Sequence, residues 1–533
     1  MNSTARYTSY QHTGAFQTIV LDYLEGNTAL KDFYHFSPNI EGIKAAVEVR
    51  ANFPVNRKVL VNELQVQYAN IAASPEVLAN IQLLANGNTY TICTAHQPNL
   101  FTGHLYFIYK ILHCIKLADE LNGQLPGARF VPVFYMGSED ADLDELGEIV
   151  IDEKKYRWQT DQKGAVGRMK VDEQLIKLID EIAGQLGVLR RGPEIVKLLR
   201  FAYQPGDSIA NATLKMLNEL FGRFGLIVLQ PDNTALKALF KPIMQQELQS
   251  KFTHKAVTNT IEKIPADYKI QAAGRTINLF YLKDKSRERI EADGENFTIA
   301  NTDVRFTEAE ILHELNVNPE RFSPNVITRP LYQETILPNV VFIGGGAEMA
   351  YWLELRQAFI DAGVFYPVVL LRNSFMFIPI KIQKKMSELQ LQAEDFFKSE
   401  QDIIKAWVKK NSLHALHFNE EIKTLKTLYA KMALNAACVD ASLQKHLQAL
   451  EAGALKKLAV AEKKMLRAEK KKFAQQQNKI KKIKAVLYPQ GALQERVDNV
   501  LPYYAFYGKD FLKNILHHSP ALQQTFTILH ADT

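Results

Sequence analysis

The sequence predicts an α/β protein built on a doubly wound parallel sheet with long connecting insertions, followed by a long helical coiled coil. Three observations carry this. Short apolar runs alternate with amphipathic helices between residues 86 and about 375, the pattern of parallel strands joined by crossover helices. Two stretches in that region, near 150–207 and 240–330, exceed the length of plain connections and read as insertions. From Lys381 to Lys484 the chain has no proline and one glycine, Gly453, and is dominated by Leu, Ala, Lys, Gln and Glu, all strong helix formers.

Taken in order, residues 1–85 read as an N-terminal helical segment, with apolar positions at Leu60, Leu64, Tyr68, Leu78, Ile81 and Leu84. Residues 86–375 form the sheet domain. Its strands are expected at Tyr90–Thr94, Phe130–Tyr135, Leu226–Leu229, Val340–Ile343 and Pro367–Leu371, with helices at Ala210–Phe224 and Ala347–Ala362. The second insertion contains Arg275–Leu282 and Arg289–Ala300, which read as β-rich. Residues 376–487 carry the coiled coil: Leu458, Ala461, Met465 and Ala468, and again Phe473, Gln476, Ile480, Ile483 and Leu487, follow a 3-4 spacing. Residues 488–533 form a short C-terminal return segment.

With 533 residues, 47 % hydrophobic, the chain is long enough for two or three domains with real cores. No apolar run reaches the ~20 residues of a membrane-spanning helix, so no membrane partner is expected. The N-terminus lacks a signal-peptide core. Cys93, Cys114 and Cys438 fit neither a zinc pattern nor a disulfide framework, and a reducing cytoplasm is the expected location. Cys93 lies in a strand and Cys114 in a helix, where burial disfavours a thiolate nucleophile. The net charge is +6, and Lys463–Lys484 holds ten Lys or Arg and one Glu. With one aromatic residue, Phe473, and no regular aromatic interleaving, this reads as a solvated helix face, and no nucleic-acid partner is expected.

The most informative segment is Thr94–His104, a polar turn between a β-branched run and a helix with Leu105, Ile108, Leu112, Ile115 and Leu121 on one face. Thr102 is placed to cap that helix, Gly103 permits close approach of a ligand to the backbone, and His96 and His104 flank an anion-suited helix start. Thr102-Gly103-His104 resembles the H-x-G-H signature of the nucleotidylyltransferase and class I aminoacyl-tRNA synthetase superfamily, although Phe101 stands where that signature has its first histidine. The competing structural reading is a pair of partly buried histidines.

Four further clusters follow. Ser138, Glu139, Asp140 and Asp142 come directly after the second strand, where α/β sheets bind ligands. These carboxylates suit an ammonium, an amino-sugar hydroxyl or Mg²⁺, while Asp144 and Glu145 read as a solvated turn. Arg329, Gln333 and Glu334 precede a strand that ends in Gly344-Gly345-Gly346, whose amides would face a ligand. Glu348 then offers a polar group and Tyr351-Trp352 an aromatic wall. Arg372 and Ser374 occupy the place of the superfamily's phosphate loop, without its lysine. Gln494 and Arg496 at the foot of the coiled coil suggest a second ligand site, against an ordinary chain reversal.

Together these motifs resemble the bacillithiol biosynthesis cysteine-adding (BshC) family. The matching pieces are His96-Gln97 with Phe101-Thr102-Gly103 and Lys110; Pro132-Val133-Phe134 with Glu139-Asp140 and Asp144-Glu145; Arg329-Pro330-Leu331 with Gln333-Glu334; Ile343-Gly344-Gly345 with Glu348, Ala350, Tyr351 and Trp352; and Leu493-Gln494-Glu495-Arg496. The resemblance implies a Rossmann-like core, an antiparallel coiled coil and a homodimer formed through it. It implies a ligase that adds L-cysteine to the amino group of glucosaminyl malate through an activated cysteine carboxylate, with ATP and Mg²⁺ as the expected helpers and no tightly bound metal. His96, Thr102, His104, Glu139 and Asp140 would then be catalytic: Thr102 and His104 would hold phosphate, and the acidic loop an amine. The rival reading is a catalytically degenerate superfamily member acting as a nucleotide-binding or scaffold protein.

Overall fold

The computed structural model describes residues 3–531. It divides into two compact units, residues 1–377 with 492–533, and residues 378–491. The first is organised by a five-stranded sheet in the order Val368–Leu371, Asn339–Gly344, Thr89–His96, Arg129–Met136, Ile227–Leu229. Every neighbouring pair is parallel. The strands are apolar on both faces and almost wholly buried, as parallel sheets covered by helices require. The five expected strands and both expected helices are present; the helices run Ile209–Phe221 and Gly346–Asp361.

One face of the sheet, with Tyr90, Ile92, Phe130, Val341, Ile343, Val368 and Leu370, shares a core with Cys114, Leu117 and Leu121 of the helix Leu105–Gln124 and Ile43 and Ala46 of the helix Ile40–Arg50. The N-terminal helices also close the sheet's edges, which would otherwise present unpaired backbone. Gln67 bridges the Val228 carbonyl and the Gln230 amide at 2.6 and 2.9 Å, and the Tyr68 hydroxyl accepts from the Val228 amide at 2.8 Å. At the opposite edge the Tyr23 hydroxyl donates to the Val369 carbonyl at 2.8 Å.

One correction concerns the N-terminus. Residues 1–85 are not helical throughout: Ser3–Thr8 is a strand. It pairs antiparallel with Phe526–Ala531, which in turn neighbours Ser374–Ile378. The helical periodicity of the region begins only later, and the strand's partner lies more than five hundred residues away. The first insertion holds a hairpin, Glu148–Ile151 with Lys154–Arg157, and the helices Glu173–Leu186 and Gly192–Ala202. The second contains a five-stranded antiparallel sheet that includes Leu279–Lys283 and Ser286–Asp293, in accord with its β-rich reading.

The second unit is helical. Asn419–Ala437 and Ser442–Lys472 lie antiparallel: the Phe418 amide donates to Glu462 at 2.7 Å and the Ser412 hydroxyl to Glu469 at 3.0 Å, so lower numbers on one helix meet higher numbers on the other. Ile480, Ile483 and Leu487 of the predicted seam are fully buried on the helix Ala474–Leu487, which packs against the chain's own Glu400–Asn411, with the Trp407 and Phe473 rings 5.4 Å apart. That part of the seam is therefore satisfied within one chain.

Candidate functional site

The strand order reverses between Thr89–His96 and Asn339–Gly344. In open α/β sheets ligands bind in the crevice beyond the carboxyl ends of the strands at such a switch point. The residues that converge there are His96 and Gln97 from the first strand and Gly344–Glu348 from the second.

The two strand ends are tied by one buried ion pair. Lys110, on the helix Leu105–Gln124, is 1 % exposed. Its ammonium donates to the Ala95 carbonyl at 2.9 Å and to the Glu348 carboxylate. The same Glu348 oxygen accepts from the Gly345 amide at 2.8 Å, which fixes the start of the helix Gly346–Asp361. Burial works to raise the Glu348 pKa, but Lys110 outweighs it and holds the carboxyl below its usual range. The amides of Gly346 and Ala347 make no hydrogen bond among the described residues, so a helix start with free donors faces the crevice. Gly344 is tightly enclosed: a Cβ there would lie 3.0 Å from the Glu348 Cβ, closer than ordinary van der Waals contact.

His96 Nδ1 lies 3.3 Å from the Gln97 carbonyl, and its ring packs against Tyr106 and Phe107 at 5.3 and 5.5 Å between centroids. Burial, aided by the Lys110 ammonium, pushes its pKa down to about 4. At neutral pH it is an uncharged imidazole; with Nδ1–H directed at Gln97, Nε2 presents a lone pair. Gln97 also donates to Asp140 at 3.0 Å, and the Gly137 amide to the His96 carbonyl at 2.8 Å. The loops after the first two strands are thereby locked together.

The loop between His96 and its helix departs from expectation. Phe101 and Thr102 have φ of 50° and 70°, and Gly103 has φ of 60°, a run of left-handed conformations that non-glycine residues adopt at a cost. They delay the helix, so its N-cap is His104 rather than Thr102. The Thr102 hydroxyl is buried without a hydrogen-bond partner among the described residues. The strained loop is held from the C-terminal segment. Asn499 donates to the Phe101 and Gly103 carbonyls at 3.1 and 2.5 Å, the Leu105 amide donates to the Asp498 carbonyl at 2.8 Å, and His104 Nδ1 lies 3.1 Å from the Val497 carbonyl. Tyr106, Asn499 and Asp498 carry no motif, so sequence reasoning passes over them. Tyr106 stands beside both imidazoles, 5.8 Å from the His104 ring.

The remaining predicted residues separate into those at the strand ends and those inside the core. Glu139 is buried against Lys237, whose ammonium also donates to the Phe322 carbonyl at 2.6 Å; burial raises the Glu139 pKa against the pull of Lys237. Asp142 is a helix cap, accepting from the Glu145 amide at 3.2 Å. Arg329 donates to Gln333 at 3.0 Å and to the Tyr351 hydroxyl at 3.1 Å. Three predicted ligand residues are core groups instead. Trp352 is fully buried and stacks on Phe342 at 4.4 Å. Glu334 accepts from Gln333 and Asn339 at 2.8 and 2.9 Å, with burial raising its pKa to about 7. Gln494 pairs both its amide groups with the Phe377 backbone, at 2.8 and 3.0 Å. Arg372 is likewise committed, to Glu495 at 2.8 Å and to Ser374 at 2.9 Å, all three being buried. Arg496 next to this pair is exposed and makes no ion pair among the described residues. No group of three His, Cys, Asp or Glu suited to a metal ion occurs among the described residues.

Sheet order, switch-point crevice and glycine-rich strand end define a Rossmann-like α/β protein whose candidate ligand site is the carboxyl edge of the sheet. Residues 4–373 match the N-terminal Rossmann-like domain of bacillithiol biosynthesis BshC and residues 375–531 its C-terminal coiled-coil domain. The chain belongs to the BshC family. Among its relatives, proteins named "Putative cysteine ligase BshC" from Flavobacterium johnsoniae and Flavobacterium psychrophilum are 38 % and 39 % identical, each alignment covering 98 % of both chains. A relative of the same name from Bacillus cytotoxicus is 26 % identical over 96 % of this chain and 98 % of its own.

Proposed function

We propose that this protein is the cysteine ligase of bacillithiol biosynthesis, joining the carboxyl carbon of L-cysteine to the amine of glucosaminyl malate. The observation that carries the reading is likeness to the cysteine-ligase relatives along essentially the whole chain. Amide formation needs a carboxyl whose oxygen can leave, and ATP with Mg²⁺ would supply that activation. The free Gly346 and Ala347 amides, the orphaned Thr102 hydroxyl and the exposed Arg496 are groups suited to phosphate oxygens. Neutral His96 can accept a hydrogen bond from the attacking amine through Nε2. Asp140, held by Gln97 at 3.0 Å and 3.8 Å from the Arg287 guanidinium, can bind an ammonium that competes with that cation. Lys110 acts as a positioning residue, joining the strand end at Ala95 to Glu348.

The protein acts in the reducing cytoplasm, a reading supported by three free cysteines, and as a homodimer through the helical unit. Leu428, Met432, Leu443 and Leu450 of its antiparallel pair are all exposed by 39 % or more and give that unit apolar surface for a second copy. No described helix is long and apolar enough to cross a membrane.

The second reading, a nucleotide-binding or scaffold protein, draws support from the commitment of Arg372 to Glu495, which removes the cation nearest the superfamily's phosphate loop. The test is a product assay: purified protein with cysteine and glucosaminyl malate, with and without ATP and Mg²⁺, and bacillithiol sought by mass spectrometry. ATP-dependent product supports the ligase, ATP-independent product keeps the ligation but removes the activation step, and no product under any condition favours the second reading.

A further inference from the structure

A second group of polar atoms without partners lies away from the switch point, beyond the ends of the strands Arg129–Met136 and Ile227–Leu229. A cavity of about 480 Å³ opens there, lined in part by Ser138, Lys170, Ala210, Thr234 and Glu320. This is within the range of small-molecule sites and more than a free amino acid needs.

Two long helices begin at its wall. Ser208 caps the helix Ile209–Phe221 by accepting from the Asn211 amide at 3.1 Å, and the Ile209 amide donates to the Met169 carbonyl at 2.8 Å. The Ala210 amide between them has no acceptor among the described residues. Asn233 caps the helix Thr234–Ser250 by accepting from the Leu236 amide at 3.0 Å, and the Thr234 amide is likewise without an acceptor. Free amides at two helix starts attract an anion.

The side chains give independent support. Ser138 is 2 % exposed and its hydroxyl has no partner among the described residues. It is pressed in place by Gly167, where a Cβ would lie 2.5 Å from the Ser138 Cβ. The Lys170 side chain is exposed and makes no ion pair among the described residues. Arg168 and Asp232 neutralise each other through two hydrogen bonds of 2.6 and 2.7 Å, so the wall keeps its donors without a competing fixed anion at that point. Glu320 also lines the cavity, and its Oε2 is buried without a donor among the described residues. A ligand that completes this site brings oxyanions to Ser138, Lys170 and the two helix starts, and a hydroxyl or ammonium to Glu320.

We propose that the cavity is the subsite for the carboxylates of the acceptor, a carboxylated amino-sugar glycoside; this rests on the ligase reading above. An oxyanion could equally come from a nucleotide phosphate, so the test separates the two. Full-length protein and its Lys170→Gln and Thr234→Trp variants, both altered at exposed positions, are titrated calorimetrically with glucosaminyl malate, malate, methyl glucosaminide, inorganic phosphate and ATP. Steady-state KM is measured for each substrate in parallel.

The expected result is acceptor affinity reduced at least tenfold by Lys170→Gln and lost in Thr234→Trp. Malate binding should fall in step, methyl glucosaminide should be indifferent to Lys170→Gln, and the KM for cysteine should stay unchanged. Unaltered acceptor affinity and KM in both variants would overturn the proposal, as would a loss confined to phosphate and ATP. If the wild type forms product and the variants behave like it, the cavity assignment fails and the ligase stands. If no product forms but acceptor binding depends on Lys170, the subsite stands and the ligase reading fails.

Discussion

The switch-point crevice and the outer cavity both carry open donors but differ in how far their charged groups are paired. At the switch point the charged groups answer one another: Lys110 with Glu348, and Arg372 with Glu495, each pair buried or nearly so. At the outer cavity the donors at Ser138, Ala210 and Thr234 have no partner, and the Lys170 ammonium makes no ion pair among the described residues. Buried charges without a partner cost several kcal/mol, so those at the crevice exist only as pairs and serve as its frame. Amides and a hydroxyl left open at a wet cavity cost less and remain available to a ligand. A cation in the sequence is thus no guide to whether it binds substrate or holds the fold.

The comparison breaks most sharply at Lys110. Lys110→Met strands the Glu348 carboxylate and is expected to lower stability by about 3–5 kcal/mol, whereas Lys110→Met with Glu348→Gln recovers much of that loss. Urea unfolding of the single and double variants measures the coupling, and additive losses would mean that the pair is not the frame. Next in size is a pH effect. His96 is held at about 4 against an ordinary value of 6.5, so between those pH values the unfolded chain binds a proton that the folded chain refuses. Stability therefore falls as pH drops through this window, by up to about 3 kcal/mol from this residue, the cost being complete below about 4. His96→Gln should reduce that slope by this residue's share, leaving the similar contribution of buried His113, also held down to about 4, and Lys170→Gln should leave it unchanged, as followed by denaturant midpoints from pH 7 to 4.

Asn499→Ala removes the two hydrogen bonds this side chain gives the left-handed loop at Phe101 and Gly103, together with its cap on the Leu501 amide. A loss of about 1–3 kcal/mol is expected, with faster amide exchange in residues 99–105; an unchanged exchange pattern would assign the loop's geometry to its own packing. The smallest effect belongs to Arg496→Gln. Its exposed side chain makes no ion pair among the described residues, so stability should move by less than about 0.5 kcal/mol, while ATP affinity should weaken if this cation receives phosphate.

Much of the fold is legible in residue order. The strands Thr89–His96, Arg129–Met136 and Asn339–Gly344 are β-branched and aromatic runs buried on both faces, and period and length identify them. The loops after them are legible as ligand loops because glycines and polar residues cluster at strand ends. Side-chain roles within those loops are not. Trp352 and Glu348 are four residues apart on one helix, yet one stacks on Phe342 in the core and the other meets Lys110 at the crevice. Lys237 has no motif and becomes visible only where it meets Glu139, ninety-eight residues earlier.

By itself the sequence determined the alternation of strands and helices, the helical unit, the family and the segments that bear polar loops, because propensity, periodicity and motif spacing are local properties. Tertiary structure alone decided that the strand order reverses between His96 and Gly344, that Asn499 holds the Phe101–Gly103 turn, and which ionisable groups pair and which stay open. Those outcomes depend on distances between residues far apart in the chain. In a buried setting, the distance to the nearest opposite charge sets whether a side chain is framework or ligand site.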